Sequence, residues 1–193
     1  MVANGNDNIA VTLSLQDTVN GGNGSDLIYL TNNLNLGTTA ANGNNGPDFI
    51  DASTGLTPVT LTGGNGADAL GGGSEGDNLS GNSGNDILFG AGGNDHIDGG
   101  KGNDIITGGF GDDTLTGGKG ADSFIYNYIA DASLAVGLDG SDHITDFKVI
   151  DGDKLFLHDI LAPTDTKPCN RLERRDEYDC DVRSGRGQPD HYA

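Results

Sequence analysis

Residues 63–125 read GGNGADALG GGSEGDNLS GNSGNDILF GAGGNDHID GGKGNDIIT GGFGDDTLT GGKGADSFI, seven uninterrupted copies of one nine-residue frame. The eighth position of every copy is a large apolar residue, and the sixth is always aspartate. These aspartates are Asp68, Asp77, Asp86, Asp95, Asp104, Asp113 and Asp122. A register held through seven copies indicates a structural repeat, and its invariant carboxylate points to a metal site in each repeat.

Each frame joins a glycine-rich half to a short apolar half. Glycine adopts left-handed backbone conformations that other residues avoid, so the first half predicts a tight turn. In the triplet after the aspartate, the middle side chain points one way and its neighbours the other, as in a short strand. Turns that alternate with three-residue strands predict a coil in which two frames make one flattened turn, so that frame n lies over frame n+2. We therefore expect an all-β chain folded as a right-handed parallel β-roll (a β-solenoid) with a C-terminal β cap.

Stacked carboxylates make such a coil unstable by itself. Each carboxylate faces a like charge about 4.8 Å away, the spacing of paired strands. The repulsion costs about 1 kcal/mol per neighbour in water and several times more at a lower effective dielectric constant. A hard divalent cation between successive turns reverses the sign of this interaction, and all-oxygen ligation favours Ca²⁺ over zinc or copper. One inward apolar side chain per frame offsets little of the backbone entropy lost on folding, so we expect metal binding and folding to be coupled.

The frame Gly-Gly-x-Gly-x-Asp-x-apolar-x resembles the repeats-in-toxin (RTX) family of calcium-binding nonapeptide repeats. The resemblance implies a parallel β-roll with five or more Ca²⁺ ions, on a bacterial protein secreted by a type I system to the cell surface or beyond. By family analogy each ion takes two stacked Asp side chains and carbonyl oxygens from glycine positions. The glycines that match are Gly64, Gly66, Gly100, Gly102, Gly109, Gly111, Gly118 and Gly120. Glu75 replaces a fourth-position glycine, and Asn82 and Ala91 replace second-position glycines, so these loops depart from the pattern.

Degenerate frames extend the coil towards the N-terminus. Residues 2–10, 21–29 and 43–51 keep an aspartate in the sixth position. These aspartates are Asp7, Asp26 and Asp48. They continue only one of the two rows of carboxylates, since Asp17 is isolated on the other, so we expect Ca²⁺ mainly on one side of the N-terminal turns. The half-turns between these frames are irregular, although Leu34/Leu36 and Val59/Leu61 alternate as in strands.

Residues 126–162 lose the nine-residue frame and predict a cap, which solenoids need over their last turn. The segment resembles the end of many RTX domains, with a D-x-I-x-D-F run from Asp142 to Phe147 and an Asp-Lys-Leu run at 153–155. By this resemblance Phe147, Leu155 and Leu157 cover the last turn. Asp142 or Asp146 completes the last ion site.

The composition changes at Pro163, since residues 163–193 contain all the arginines and both cysteines of the chain. We expect a disordered or aberrant C-terminus there; a disulfide between Cys169 and Cys180 is the alternative, in keeping with an extracellular location. The expected organisation is irregular N-terminal β-roll turns (1–62), the regular roll (63–125), the cap (126–162) and the atypical tail (163–193).

Charge and hydropathy exclude several classes of function. The net charge of −19 argues against nucleic acid or an anionic membrane surface as a partner. No stretch approaches 18 apolar residues, so no transmembrane helix is expected. The N-terminus lacks a basic segment followed by an apolar one, which fits a type I substrate and fits equally a fragment of a longer protein. Without calcium, a disordered acidic chain is the alternative to a folded roll.

The sequence contains no catalytic constellation, so we do not expect an enzyme. The run Gly72–Gly76 fits a nucleophile elbow, but it lies inside a repeat frame with no helix after it. The leading hypothesis is a calcium-dependent folding and secretion module. Its expected partners are Ca²⁺, the type I apparatus, and an upstream domain such as a metalloprotease, a lipase or an alginate epimerase.

The alternative hypothesis is a structural surface-layer or adhesin protein that assembles with copies of itself. The strands that follow the unbroken row place apolar residues outward, whereas the opposite strands place polar residues there. The apolar set is Leu27, Tyr29, Phe49, Ile87, Phe89, Ile105 and Ile125. Such a stripe marks a contact surface, unless the chain's own terminal segments cover it.

Overall fold

Short parallel strands make up the regular structure of the residues that the structure describes. The computed structural model describes residues 2–13, 18–32, 39–127 and 141–158, which all belong to one unit, Met1–Ala162. Within these ranges every regular element is a strand and none is a helix. In chain order the strands are β1 (Val2–Asn4), β2 (Asn8–Leu13), β3 (Thr18–Asn23), β4 (Leu27–Asn32), β5 (Thr39–Asn45), β6 (Phe49–Asp51), β7 (Val59–Asn65), β8 (Ala69–Gly71), β9 (Asn78–Ser83), β10 (Ile87–Gly92), β11 (His96–Lys101), β12 (Ile105–Phe110), β13 (Thr114–Lys119), β14 (Ser123–Asn127), β15 (His143–Ile144) and β16 (Lys154–His158).

Consecutive strands belong to opposite sheets. The odd-numbered strands form one eight-stranded sheet in the order β1-β3-β5-β7-β9-β11-β13-β15, and the even-numbered strands form the other, from β2 to β16 in the same way. Neighbouring strands pair in parallel, for example β8 with β10 and β10 with β12. The chain is therefore a parallel β-solenoid, as expected for a β-roll.

The register confirms that each frame lies over the frame two places on. Leu70 pairs with Leu88, and Leu88 pairs with Ile106, all three at the eighth position of their frames. The degenerate N-terminal frames keep this alignment, since Ile28 pairs with Ile50 and Ile50 with Leu70. The predicted strand around Val59 and Leu61 is confirmed as β7, whereas Leu34, Leu36 and Asp17 lie outside the described residues.

Most strands contribute one inward apolar side chain to a thin core, while β4 adds Leu30 and β7 adds Val59. In the even sheet these residues are Ile9, Ile28, Ile50, Leu70, Leu88, Ile106 and Phe124. In the odd sheet they are Val19, Ala41, Leu61, Leu79, Ile97 and Leu115. A core with a single row of side chains from each sheet contributes only modest hydrophobic stabilisation per residue. Contacts between the loops must therefore supply much of the stability of the roll.

The C-terminal cap continues both sheets. In β15, Ile144 pairs with Leu115, and in β16, Leu155 pairs with Phe124. The cap strands therefore keep the strand register of the frames, although the nine-residue spacing is lost before them. The partners across this junction lie 29 residues apart in the odd sheet and 31 in the even sheet instead of 18, because an insertion separates the cap from the regular frames. A fixed nine-residue period does not detect a frame displaced in this way.

Side chains of the cap cover the last turn to different extents. As predicted, Phe147 packs on Phe124, with ring centroids 6.0 Å apart. Leu155 and Leu157 lie over the preceding strand β14 but remain 46% and 56% exposed.

The described residues contain no helix long and apolar enough to cross a membrane. The tail 163–193, for which disorder was expected and a Cys169–Cys180 disulfide was the alternative, lies outside the described residues.

Candidate metal centre

The loops between the sheets carry two stacks of aspartates. We call the stack in the loops from the odd to the even sheet row one and the opposite stack row two. Row one contains Asp7, Asp26, Asp48, Asp68, Asp86, Asp104 and Asp122. Row two contains Asp77, Asp95 and Asp113. The stacking predicted from the frame is thus what the structure contains.

A repeated hydrogen bond fixes the orientation of each carboxylate. The backbone N–H of one aspartate donates to Oδ1 of the aspartate one turn further on. In row one Asp86 donates to Asp104 at 2.8 Å, and Asp104 donates to Asp122 at 2.9 Å. In row two Asp95 donates to Asp113 at 2.8 Å. Each carboxylate therefore has one oxygen held by the protein.

The second oxygen of most of these carboxylates is buried without a hydrogen-bond partner. Within the described residues the unpartnered atoms are Oδ2 of Asp7, Asp26, Asp48, Asp68, Asp86, Asp95, Asp104 and Asp113. Asp86 and Asp104 are 0% exposed. A buried carboxylate oxygen without a donor or a cation is strongly unfavourable, so eight of them in register call for a common ligand.

The first glycine of each frame makes room for this oxygen. A Cβ on Gly99 would overlap Oδ2 of Asp104 and would lie 2.7 Å from the carbonyl oxygen of Gly117, one turn on. The same two kinds of oxygen border Gly81 and Gly90. A carboxylate oxygen and a carbonyl oxygen of the next turn thus face one small space, which is the donor set that a hard cation prefers.

The second and fourth glycines bring successive loops close together. The eight glycines predicted as carbonyl donors all have φ between +98° and +140°. At Gly102 (φ +130°) a Cβ would overlap the carbonyl oxygen of Gly84, and at Gly118 (φ +98°) that of Gly100. Side chains at these positions would both strain the backbone and push the turns apart.

Burial and like charge oppose ionisation of the ladder. Burial, followed by repulsion from Asp113 and Asp77, raises the pKa of Asp95 to about 7. Burial likewise raises the pKa of Asp68, Asp104 and Asp113 to about 6, with stacked carboxylates adding to the effect. A cation between the turns would remove both penalties.

Some loops depart from the repeat. Asn82 (φ 70°) and Ala91 (φ 83°) replace second glycines and adopt left-handed conformations, which Ala tolerates poorly.

Asp77 differs from the other aspartates because its Oδ2 accepts the N–H of Gly73 at 2.6 Å. Val59 occupies the position one turn before Asp77 and donates its N–H to Oδ1 of Asp77. Within residues 39–127 row two therefore starts at Asp77. This agrees with the sequence-based expectation that the N-terminal frames continue only one row of aspartates.

The cap adds three carboxylates with different roles. Asp142 continues row two, since its Oδ1 accepts the N–H of Asp113 at 2.9 Å. Asp146 does not stack on an aspartate; it accepts the N–H groups of Gly117 and Gly118. Asp153 continues row one by accepting the N–H of Asp122 at 3.0 Å. Sequence reasoning missed Asp153 as a ladder residue, although its place two residues before Leu155 matches positions six and eight of a frame.

Sequence reasoning also missed a second ladder beside the aspartates. Fifth-position side chains accept the N–H of the residue one turn on: Asn85 from Asn103, and Asn103 from Ala121, both at 2.8 Å. The recurrent Asn or Asp in the fifth position was the available signal. These bonds fix the spacing of neighbouring loops and so the width of the space between their carboxylates.

The available donors are carboxylate and carbonyl oxygens, which suit Ca²⁺, and not a cluster of several metal-binding side chains. The described residues contain no group of three or more His, Cys, Asp and Glu side chains around one point. A site between two turns instead offers two carboxylates and backbone carbonyls, so oxygen is the only ligand atom.

Comparison with known families agrees with this geometry. A model of the RTX calcium-binding nonapeptide repeat (4 copies) matches residues 3–32, 71–106 and 89–124. No curated protein and no solved structure matches the chain. The matched ranges contain stacked aspartates of both rows. The repeats of this chain therefore belong to the RTX calcium-binding nonapeptide family and form a calcium-binding β-roll module.

Proposed function

We propose that this chain is a non-catalytic module of a secreted bacterial protein, which folds when it meets extracellular Ca²⁺ and stabilises a domain upstream of it. The observation that carries the proposal is the register of eight buried, unpartnered carboxylate oxygens. Without a cation these oxygens oppose folding, and with one they become its ligands. The calcium-bound roll is then the stable state, and the calcium-free chain is largely unfolded.

The proposed ions lie between successive aspartates of a row. In the regular repeats they lie between Asp68 and Asp86, Asp86 and Asp104, Asp104 and Asp122, Asp77 and Asp95, and Asp95 and Asp113. Further ions extend row one through Asp7, Asp26 and Asp48, whose Oδ2 atoms are also unpartnered. Glycine carbonyls complete each set: that of the first glycine of the next turn lies beside the carboxylate, and those of the second and fourth glycines are the donors that the resemblance to RTX repeats implies. The Asp77–Asp95 ion is the weakest, because Oδ2 of Asp77 already accepts a hydrogen bond.

Coupling of folding to calcium fits export through a type I apparatus. Extracellular calcium modules work at about 10⁻⁴–10⁻³ M, a concentration that the cytoplasm does not reach. The chain would stay unfolded during passage and fold outside the cell. Ca²⁺ then acts as the signal that the chain has been exported, and the folded roll protects the end of the upstream domain.

Circular dichroism tests the proposal directly. In a chelator the far-UV spectrum should be that of a coil, and added Ca²⁺ should convert it cooperatively to strand, whereas Mg²⁺ at the same concentration should not. Mg²⁺ demands near-ideal octahedral geometry and releases water reluctantly, so it is the matched control ion. A strand spectrum that persists in the chelator would reject the coupling.

A second function, assembly with copies of itself, is favoured by the outer face of the even sheet. Phe49 is 41% exposed and Ile87 52%, and the tilted ring of Tyr29 lies beside Phe49 with ring centroids 5.9 Å apart. Contiguous exposed apolar side chains of this kind mark contact surfaces. Sedimentation in saturating Ca²⁺ separates the two functions: a monomer supports the secretion module alone. Ordered assembly that Ile87→Ser abolishes and Thr114→Ser, on the opposite sheet, leaves intact supports a surface-layer or adhesin role.

A further inference from the structure

Asparagine side chains form a stack along the N-terminal loops of row one, which we call the amide ladder. Asn23, Asn45 and Asn65 occupy the third position of their frames, and strand pairing places each beside the next. Nδ2 of Asn45 donates to Oδ1 of Asn23 at 2.7 Å, and Nδ2 of Asn65 donates to Oδ1 of Asn45 at 2.8 Å. All three side chains are exposed to solvent, so the amide ladder belongs neither to the core nor to the stacked carboxylates.

Every asparagine of the amide ladder precedes a glycine. The chain contains six Asn-Gly pairs, which all lie within residues 1–66 and begin at Asn4, Asn20, Asn23, Asn42, Asn45 and Asn65. In such a pair the backbone nitrogen of glycine can attack Cγ of the asparagine, because glycine has no side chain to hinder the approach. The new N–Cγ bond closes a succinimide ring, the Cγ–Nδ2 bond breaks, and the glycine N–H proton leaves with the amide nitrogen as ammonia. Water then opens the ring, so the products are ammonia and either aspartate or isoaspartate.

The roll requires glycine after each asparagine of the amide ladder. Gly24, Gly46 and Gly66 are fourth-position glycines with φ of +122°, +115° and +140°. A Cβ on Gly46 would overlap the carbonyl oxygen of Gly24, and a Cβ on Gly66 would overlap that of Gly46. The close approach of successive loops therefore gives each asparagine the neighbour that least hinders ring closure.

The same fold holds apart the two groups that must react. The N–H groups of Gly24 and Gly46 donate to the carbonyl oxygens of Asn45 and Asn65 at 2.8 Å and 2.7 Å, and Gly66 makes the same bond to the next turn at 2.8 Å. The attacking nitrogen is thus held towards the next turn, and the amide ladder holds the carboxamide that it would attack. Ring closure in the folded roll therefore requires the loops to open locally.

Deamidation would weaken the stack that it modifies. A carboxylate in place of Asn45 could not donate the hydrogen bond that Nδ2 of Asn45 makes to Asn23. Two modified neighbours would repel each other at the spacing of paired strands. Isoaspartate also lengthens the backbone by one carbon, directly before the glycine whose N–H pairs with the next turn. Both products therefore oppose the return of the chain to the roll.

We propose that Asn23, Asn45 and Asn65 are deamidation sites that the folded roll protects and the unfolded chain exposes. The link between this protection and calcium rests on the proposed function. A chain that stays long without calcium is then converted into one that folds less readily, so the amide ladder limits the lifetime of the unfolded state.

Peptide mapping by mass spectrometry tests the proposal. The full chain is incubated at mildly alkaline pH in saturating Ca²⁺, in a chelator, and in Ca²⁺ with enough urea to unfold it, and aspartate plus isoaspartate are measured at the three positions. Modification should be at least about tenfold slower in Ca²⁺ alone than in urea, because the folded loops must first open. Asn78, which precedes Leu79, is the internal control and should stay intact in all three samples. Equal rates in the folded and the urea-unfolded chain would overturn the proposal.

The sample in the chelator separates this inference from the proposed function. If the chelator leaves both the strand signal and the protection intact while urea removes both, the coupling to calcium is rejected and the protected sites are supported. If the chelator removes the strand signal and the three asparagines still react no faster than in Ca²⁺, the coupling is supported and the sites are rejected.

Refolding after incubation tests the consequence of the modification. After incubation in the chelator, the calcium midpoint for folding of the wild type should rise at least about twofold as the ladder is modified. A variant with Asn23→Ser, Asn45→Ser and Asn65→Ser should show a smaller rise, since serine already occupies the next place of this column at Ser83. An equal rise in both proteins, or none in the modified wild type, would overturn the view that the amide ladder limits the lifetime of the unfolded chain.

Discussion

Replacement of Asp104 by Asn should stabilise the roll without calcium and destabilise it with calcium. Asp104 lies within row one, where its Oδ1 accepts the N–H of Asp86 and its own N–H donates to Asp122. Asn keeps an acceptor oxygen and nearly the same volume, so both hydrogen bonds survive. Its Nδ2 would lie beside the carbonyl oxygen of Gly117, which shares the space next to Gly99. The substitution therefore removes a charge and little else.

The gain without calcium follows from the cost of ionising Asp104. Burial and the charges of Asp86 and Asp122 raise the pKa of Asp104 from 3.8 to about 6, which corresponds to roughly 3 kcal/mol against the ionised form at neutral pH. Two like charges about 4.8 Å apart give a similar value at an effective dielectric constant of about 20. Asp104→Asn should thus favour the calcium-free roll by about 3 kcal/mol, or on the order of 100-fold in the folding equilibrium.

The loss with calcium arises because Asp104 belongs to two proposed sites. The ions shared with Asp86 and with Asp122 each lose one of two carboxylates. We expect the calcium midpoint for folding to rise at least about tenfold, equivalent to about 1.4 kcal/mol. The opposite signs in the two conditions distinguish ligand loss from a general loss of stability.

Far-UV circular dichroism measures both effects. In a chelator, a sucrose titration reports how much osmolyte is needed to reach half of the strand signal, and in buffer without the chelator a Ca²⁺ titration gives the midpoint. Asp51→Asn is the control, since it removes one charge from the outer side of β6, keeps the oxygen that accepts the N–H of Ser53, and should change stability by less than about 0.5 kcal/mol. Effects of Asp104→Asn with the same sign in both conditions, or equal to those of Asp51→Asn, would refute the view that calcium acts by relieving repulsion in the ladder.

Three further changes test the ladder and its loops. In the chelator, lowering the pH from 8 to 4.5 should reduce the sucrose concentration needed for folding. The pKa of Asp95 is raised to about 7 and that of Asp68 to about 6, so the stability that comes from protonating these carboxylates is fully present below pH 3.8 and is lost as the pH rises through 6–7. An unchanged sucrose midpoint would contradict the raised pKa values. Ala91→Gly should stabilise the calcium-bound roll by about 1 kcal/mol in urea unfolding, because it relieves a left-handed alanine (φ 83°), whereas Ala69→Gly, in a strand, should destabilise it. Glu75→Gly should give a lower calcium midpoint for folding than the wild type, because it restores the fourth glycine of the frame. Glu75→Gln removes only the charge and should lower the midpoint less. Equal shifts in the two variants would show that the charge of Glu75, and not the conformation of its loop, causes the effect.

The sequence was sufficient for the features that depend on spacing alone. Because strands of successive turns pair in a fixed register, the period from Asp68 to Asp86 to Asp104 predicted which carboxylates stack and which apolar side chains pack inward. The same reasoning did not predict the position of the cap. Strand pairing does not depend on how much chain lies between the partners. An insertion before Asp142 therefore breaks the nine-residue period in the sequence, although Asp142 still lies in register with Asp113 in the structure.

The hydrogen-bonding state of each carboxylate depends on the loop in front of it, which the position of the aspartate does not reveal. Asp146 shows this most clearly, because it lies four residues after Asp142 and yet accepts N–H groups from Gly117 and Gly118 instead of joining a row. Its acidic character and its D-x-I-x-D-F context were equally compatible with a ligand. Only the path of the chain over the last turn distinguishes the two roles.

The fourth position of the frame correlates with which carboxylate oxygens are left for an ion. All eight aspartates with an unpartnered Oδ2 follow a glycine with positive φ two residues earlier, such as Gly66 before Asp68 and Gly111 before Asp113. In the two frames with an acidic residue there, Glu75 before Asp77 and Asp151 before Asp153, Oδ2 accepts a backbone N–H from its own loop. Glu75 and Asp151 do not have a positive φ, and there the loop closes on its own carboxylate. A left-handed glycine at this position therefore accompanies every Oδ2 that remains available to a cation. The glycine alone does not suffice, because Asp122 follows Gly120 (φ 137°) and its Oδ2 is not among the unpartnered oxygens. The sites of this roll are thus marked by the glycine and the carboxylate together.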